Sequence, residues 1–306
     1  MGGSVAAILP RMTHRARLDT SELTAVLDFL EVERERPTRS YLGRLQRAYK
    51  AHVPWETASR VVRASEVEAQ ADRPRRPQEF WRLAMEQGTG GTCFESDFAY
   101  WALLHALGFE ASLHVNDMPQ YRGIRYHASV TVALDGERYL TDVGLGMALV
   151  APIPLRASGM ASVGTAALGQ TLRRTAGNRW RLEMTGDPAR LTPGAAGGDG
   201  SRLLYELIDR PLDLGAYDAH VVRDYGPGGL FLDAVRVTRG FADGTVVRFS
   251  PPETLLRFDG ERWSEETLAP SDDRAEQIAG LVGMPEELLR GAFELVAAMG
   301  VGEAAG

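Results

Sequence analysis

The residue types in this chain that can do covalent chemistry converge on a cysteine, a histidine and an aspartate. Cys93 is the only cysteine among 306 residues. It follows Gly88-Thr89-Gly90-Gly91-Thr92 and precedes Phe94, Phe98, Trp101, Ala102 and Leu104, apolar positions at helical spacing that stop at Gly108, so it stands at a helix N-terminus. The unpaired N–H groups and the dipole of a first helical turn favour a thiolate. With a cationic neighbour, a cysteine there can fall from about 8.5 into the range of roughly 3.5–7.5. Without such a neighbour it is simply a small apolar residue suited to a core.

The histidine that fits is His127, and a hairpin supplies its acid. Asp135-Gly136 between two alternating runs is a strong short-range hairpin signal. With those two residues as the loop, Leu134 pairs with Glu137, Ser129 faces Asp142 and His127 faces Gly144. His127 and Asp142 then share one sheet face as diagonal neighbours, roughly 7–8 Å apart along the backbone and within side-chain reach. A carboxylate there fixes the imidazole tautomer, supports an imidazolium and leaves the second ring nitrogen for a thiol. Tyr126, Ala128, Val130, Val132 and Leu134 give the same strand a second, more apolar face. A strand covered on both sides needs a reason to keep a polar His/Asp pair.

The remaining histidines are weaker. His105 lies well along the cysteine helix and reads as a core or packing residue; His14 is in the tail, His52 ends a helix before Pro54, His114 is on another strand and His220 is in a polar stretch. No spacing among them matches a metal site, and no glycine-rich run matches a Walker or dinucleotide fingerprint. Gly88 to Gly91 reads instead as backbone that must come close to something. A net charge of −7 argues against nucleic acid as a partner. One cysteine suits a reducing compartment. Val5-Ala6-Ala7-Ile8-Leu9 is too short for a signal-peptide core, and no later run has the apolar length of a membrane span, so the reading is cytoplasmic with no membrane contact.

The elements that must position these residues follow in order. Asp19-Thr20-Ser21-Glu22 signals a helix start; further helical patterns run through Tyr41 to Tyr49 and from Pro77 through Ala84. After Gly108 the period becomes alternating: Phe109 to Val115, Arg125 to Leu134 and Glu137 to Val143 read as strands, followed by weaker strands from Thr171 to Met184. Thr185 to Gly200 reads as a mobile Gly/Ala/Pro-rich loop. Leu230 to Thr238 pairs with Thr245 to Phe249 across Asp243-Gly244, and Phe258 to Trp263 forms a short hairpin. Helices return from Ser271. Helices first, then strands, then a mixture, argue an α+β chain of about three segments.

With Cys93, His127 and Asp142 in that order, the sequence resembles the arylamine N-acetyltransferase family. That family carries R-G-G-x-C-x-E at its nucleophile, a His in a following strand and D-V-G-F-G after a hairpin. This chain has Thr89-Gly90-Gly91-Thr92-Cys93-Phe94-Glu95, His127-Ala128-Ser129-Val130 and Asp142-Val143-Gly144-Leu145-Gly146. The family's P-F-E-N is similar to Pro54-Trp55-Glu56-Thr57, and its L-R-A-L-G-F-E to Leu104 through Glu110. Four positions depart from the pattern: Thr89 for Arg, Thr57 for Asn, Leu145 for Phe, and Asp97 where Asn is usual. Losing that Arg removes a cation that could fix Glu95, so its support must come from elsewhere.

Gly2, Gly3, Pro10 and scattered basic residues read as a flexible tail at 1–18; the resemblance implies a helical bundle, here 19–108 and carrying the nucleophile, a β-barrel-like domain, 109–205, and an α/β lid with C-terminal helices, 206–306, around a cysteine-protease-like Cys-His-Asp core. It implies ping-pong transfer of an acyl group from acetyl-CoA or another acyl-CoA, a co-substrate rather than a resident cofactor, through Cys93 to a small aromatic amine or hydrazine. His127 is then the base, Asp142 its orienter, and backbone N–H groups including that of Cys93 meet the oxyanion. Trp55, Phe94, Tyr121, Tyr126, Gly144 and Leu145 are candidates for the substrate pocket, and no metal is called for. Two alternatives share the core: an amide synthase drawing its acyl chain from an acyl carrier protein, and a thiol hydrolase.

Overall fold

A computed structural model describes residues 16–118, 125–146, 151–164, 168–186, 201–227, 229–271 and 273–300. The expected tail through residue 15, Tyr121 and most of the Gly/Ala/Pro-rich loop lie outside the described residues.

Helix α1 (Thr20–Phe29) starts on a capping box: the Glu22 backbone N–H donates to the Asp19 side chain at 2.9 Å, and the Asp19 N–H donates to the Glu22 carboxylate at 2.8 Å. Helix α2 (Arg39–His52) is capped by Thr38. Strand β1 (Trp55–Glu56) and α3 (Ala58–Glu66) follow, and α4 (Pro77–Gln87) opens on Pro77 and closes on Gly88 at φ +62°. Helix α5 (Cys93–Ala106) is buried at every residue from Cys93 to Leu104. Buried on every side although it carries Glu95, Ser96 and Asp97, α5 is the post on which both neighbouring layers rest.

One layer is an eight-stranded antiparallel sheet built from β2 (Glu110–Asp117), β3 (Arg125–Leu134), β4 (Glu137–Thr141), β5 (Ile153–Pro154), β6 (Met160–Gly164), β7 (Leu168–Arg174), β8 (Arg179–Gly186) and β9 (Arg202–Ile208). Its order is β5-β4-β3-β2-β9-β8-β7-β6. The two end strands β5 and β6 touch, so the sheet curls into a nearly closed barrel around Leu140, Leu172, Leu182 and Tyr205. The Asp135-Gly136 turn has both residues at positive φ, +52° and +80°, the two-residue form that preserves strand twist. The register is Leu134↔Glu137 through Val130↔Thr141, which sets Ser129 opposite Asp142. Ala128, Val130 and Val132 face the helical core, and Ser129 and Thr131 on the other face are buried too.

The last segment is α6 (Leu214–Asp224), β10 (Val237–Gly240), β11 (Val246–Ser250), β12 (Thr254–Phe258), β13 (Trp263–Thr267), α7 (Arg274–Val282) and α8 (Glu286–Ala298). The expected strand from Leu230 begins only at Val237. Residues 230–236 instead wrap the N-terminal half: the Thr57 hydroxyl donates to the Ala234 carbonyl at 2.7 Å, and Thr57 N–H to the Arg236 carbonyl at 3.0 Å. The segments interlock. β1 pairs with β10 in a five-stranded sheet, α8 lies on α3, and Tyr217 and Val221 of α6 join the helical core.

Candidate active site

The turn before Cys93 is shaped by close backbone approaches. Gly90 lies so near the Pro54 carbonyl that no Cβ fits, and a Cβ on Gly91 would stand 2.9 Å from the Arg75 guanidinium. The Gly90 N–H donates to Glu56 at 3.2 Å, and the Ser96 hydroxyl donates to the Gly91 carbonyl at 3.1 Å. Thr92, the N-cap of α5, makes no side-chain cap, which leaves the N–H groups of that first turn free for another ligand.

Cys93 is 4% exposed, and its Sγ lies 3.6 Å from the Tyr126 carbonyl of β3, which accepts from the thiol. The sulfur therefore touches the strand beside His127. Burial pushes the thiol well above its usual range, and the charges of Asp224, Asp97 and Asp142 push the same way against one Ala128 backbone hydrogen bond. The expected depression was tied to a cationic neighbour, and the helix N-terminus alone does not supply it here. A first-turn dipole does not outweigh full burial beside Asp224, Asp97 and Asp142, so a thiolate here needs an imidazolium partner.

His127 Nε2 donates to Asp142 Oδ2 at 2.7 Å, which leaves Nδ1 with the ring's lone pair. Asp142 is fully buried and saturated with donors. Tyr205 OH reaches Oδ2 at 2.8 Å, and the Gly144 and Leu145 N–H groups reach Oδ1 at 2.9 and 3.1 Å. Burial raises its carboxyl, but His127, Lys50 and Tyr205 outweigh that and hold it below the usual carboxylate range. The Tyr205 ring packs 4.5 Å from the imidazole. Asp97, His127 and Asp142 also bring one ligand atom each within 4.8 Å of one another, but a cation there would compete with the His127–Asp142 hydrogen bond.

The support that Glu95 needs comes from Arg75, on the loop before α4. Its Nη2 donates to Glu95 Oε2 at 2.6 Å and its backbone N–H to Oε1 at 2.8 Å, with both side chains buried, while Tyr225 OH adds a bond to Oε1 at 2.9 Å. Burial would raise Glu95, but the Arg75 charge and hydrogen bonds hold it below the usual range. Arg60 lies over the Tyr225 ring at 3.9 Å and pairs with Asp224 at 2.7 Å. A buried ion network thus ties the end of α6 to the first turn of α5. Only its need was legible in the sequence, because Arg75 is 20 residues upstream in a turn without periodicity.

Among the pocket candidates, Trp55 is half-buried on β1 against Phe231 and 3.3 Å from where Gly146 would carry a Cβ. Tyr126 is half-buried, Leu145 packs beside the barrel cluster and Phe94 lies in the core against Tyr217. A Cβ on Gly144 would overlap Asp97 Oδ2 and stand 2.5 Å from Cys93 Cα. His105, read as core, is exposed and packs on the Trp101 ring at the surface. His114 is buried between Thr131 and Ile208, with burial lowering it to about 4, and His220 lies on α6. No described helix is long and apolar enough to cross a membrane.

Comparison with known proteins places this site in context. No curated protein matches. The fold is similar to the arylamine N-acetyltransferases of Mycobacterium smegmatis (TM-score 0.73, 20% identity, 94% of this chain and 100% of that one), Salmonella typhimurium (0.72, 19%, 92% and 100%) and Mycobacterium abscessus (0.72, 20%, 90% and 94%). A family model described as N-acetyltransferase matches residues 41–192, a span holding Cys93, His127 and Asp142. The chain belongs to the arylamine N-acetyltransferase family.

Proposed function

We propose that this acyltransferase moves an acetyl group from acetyl-CoA, through a thioester on Cys93, to the nitrogen of an arylamine or hydrazine. The observation that carries the reading is that His127, on the strand that Cys93 Sγ touches, makes a 2.7 Å hydrogen bond to a buried, four-donor Asp142. The similar protein from Mycobacterium marinum has been solved in complex with CoA, which supports a CoA thioester as the donor.

In the first half-reaction His127 Nδ1 takes the Cys93 proton, and the thiolate attacks the thioester carbonyl. The C–S bond to CoA breaks, and the CoA thiol leaves with the proton from His127. In the second, the amine nitrogen attacks acyl-Cys93, His127 takes the amine proton, and the cysteine leaves as the reprotonated thiol. The tetrahedral oxyanion of each step meets backbone N–H groups at the uncapped start of α5, that of Cys93 among them. Asp142 stays ionised throughout and stabilises the imidazolium. At 4% exposure, Cys93 offers water little access to the thioester.

Initial rates at varied acetyl-CoA and arylamine concentrations test the sequence of steps. Parallel double-reciprocal lines are expected, because the first product leaves before the amine binds. Intersecting lines would replace the acyl-enzyme with direct transfer in a ternary complex.

A further inference from the structure

Asp97 is the position where the family usually has Asn, and its surroundings here are unusual for a carboxylate. It is fully buried one turn after Cys93 on α5. Its two oxygens have different environments. Oδ1 accepts the Val143 N–H at 3.1 Å, whereas Oδ2 has no hydrogen-bond partner and is pressed against Gly144. One of its oxygens lies within 4.8 Å of ligand atoms of both His127 and Asp142. Asp142 takes four donors and Asp97 far fewer, so of two neighbouring buried acids the one to stay protonated is Asp97.

We propose that Asp97 is a positioning residue that serves the triad as a neutral carboxylic acid, keeping a proton on Oδ2 at physiological pH so that the site holds a second acid without a second negative charge. This rests on the triad reading above. The charges support it. Lys50 Nζ of α2 is buried, without a hydrogen-bond partner, and lies within electrostatic reach of both acids. With a Cys93 thiolate, a His127 imidazolium, ionised Asp142 and a Lys50 ammonium, the cluster is neutral only if Asp97 is neutral. Ionised Asp97 would place an uncompensated anion beside the sulfur and the developing oxyanion, in a dry site where that repulsion is poorly screened.

Burial, then the charge of Asp142, push the Asp97 carboxyl well above the usual range against Val143, Lys50 and Gly144. Burial lowers Lys50 to about 8 against the pull of Asp142 and Asp97. Tyr49 of α2, Tyr100 of α5, Tyr205 of β9 and Tyr217 of α6 lie within electrostatic reach of Asp97 and are all raised, chiefly by burial, so they remain neutral phenols.

Two measurements on the full chain test this without needing turnover. Infrared spectra of wild type and Asp97→Asn are expected to differ by the C=O band of a neutral carboxylic acid; a carboxylate band in its place would overturn the proposal. The rate of Cys93 alkylation by iodoacetamide against pH then reports the thiolate. The ratio of the Asp97→Asn rate to the wild-type rate is expected to grow by up to about tenfold per pH unit above the point where Asp97 ionises. Parallel profiles would overturn the proposal, as would an alkaline limb that disappears in Lys50→Met but persists in Asp97→Asn. If Asn is not accommodated, Asp97→Ser carries the same expectation, since it too removes the ionisable group. A missing acyl adduct at Cys93 would defeat the triad reading while leaving both of these results interpretable.

Discussion

Arg75→Met isolates the ion pair that stands beneath the nucleophile. The substitution keeps an apolar stem but removes the two side-chain N–H groups that reach Glu95, leaving the bonds from the Arg75 backbone and Tyr225. Both side chains of the pair are at most 1% exposed, so water cannot replace the lost cation. Removing one partner of a buried pair costs about 3–5 kcal/mol. At about 2–4 °C per kcal/mol that is a fall in melting temperature of about 6–20 °C. Glu95→Gln in the same background removes the stranded charge and should restore all but about 1–2 kcal/mol.

The cost is also pH-dependent, with a definite sign. Glu95 is depressed in the folded protein, so its pairing stabilises above the unfolded carboxylate range and is lost as pH falls through the folded value. In Arg75→Met burial raises the carboxyl instead, and protonation relieves the stranded charge. The gap between variant and wild type should therefore be widest at neutral pH and narrow on acidification. Urea unfolding of the two single variants and the double variant at two pH values measures this. A double variant as unstable as Arg75→Met, or a single-variant loss under about 1 kcal/mol, would show that no stranded Glu95 charge sets the cost.

Two further perturbations probe the triad. Gly144→Ala puts a methyl group into Asp97 Oδ2 and 2.5 Å from Cys93 Cα, and because backbone must move to admit it the cost is at least about 1–3 kcal/mol; acylation should fall with it, and a variant acylated at the wild-type rate would show that the close approach is dispensable. Tyr205→Phe removes one of the four donors on Asp142, worth about 1.5–3 kcal/mol for a bond to a charged group. That loss raises the Asp142 carboxyl, so the acid limb of the acylation profile should move to higher pH; an unmoved limb would dissociate Tyr205 from the triad.

The His127–Asp142 contact was legible because its geometry is local. An Asp-Gly turn fixes a two-residue loop, the loop fixes register, and register puts His127 and Asp142 on one face. The glycine run was legible for a similar reason, since Gly90 and Gly91 sit where a side chain would strike Pro54 or Arg75. What surrounds the triad was not, because it comes from distant segments without periodicity: Lys50 from the end of α2, Tyr205 from β9, and Tyr217 and Tyr225 from α6 and the residue after it. Helix α6 was read only as a polar stretch because its buried face mixes Tyr217 and Val221 with Asp218 and Asp224, so no apolar stripe marks it. The thiol's environment was likewise a matter of burial among Asp97, Asp142 and Asp224, which spacing around Cys93 does not encode.

In the proposed reaction Cys93 carries the acyl group, and that would show in the mass of the intact chain. Purified protein incubated with acetyl-CoA and no amine should gain the mass of one acetyl group, Cys93→Ala should gain none, and adding an arylamine or hydrazine should return the wild-type chain to its starting mass. An unmodified wild-type chain, or an adduct that persists in Cys93→Ala, would contradict the account.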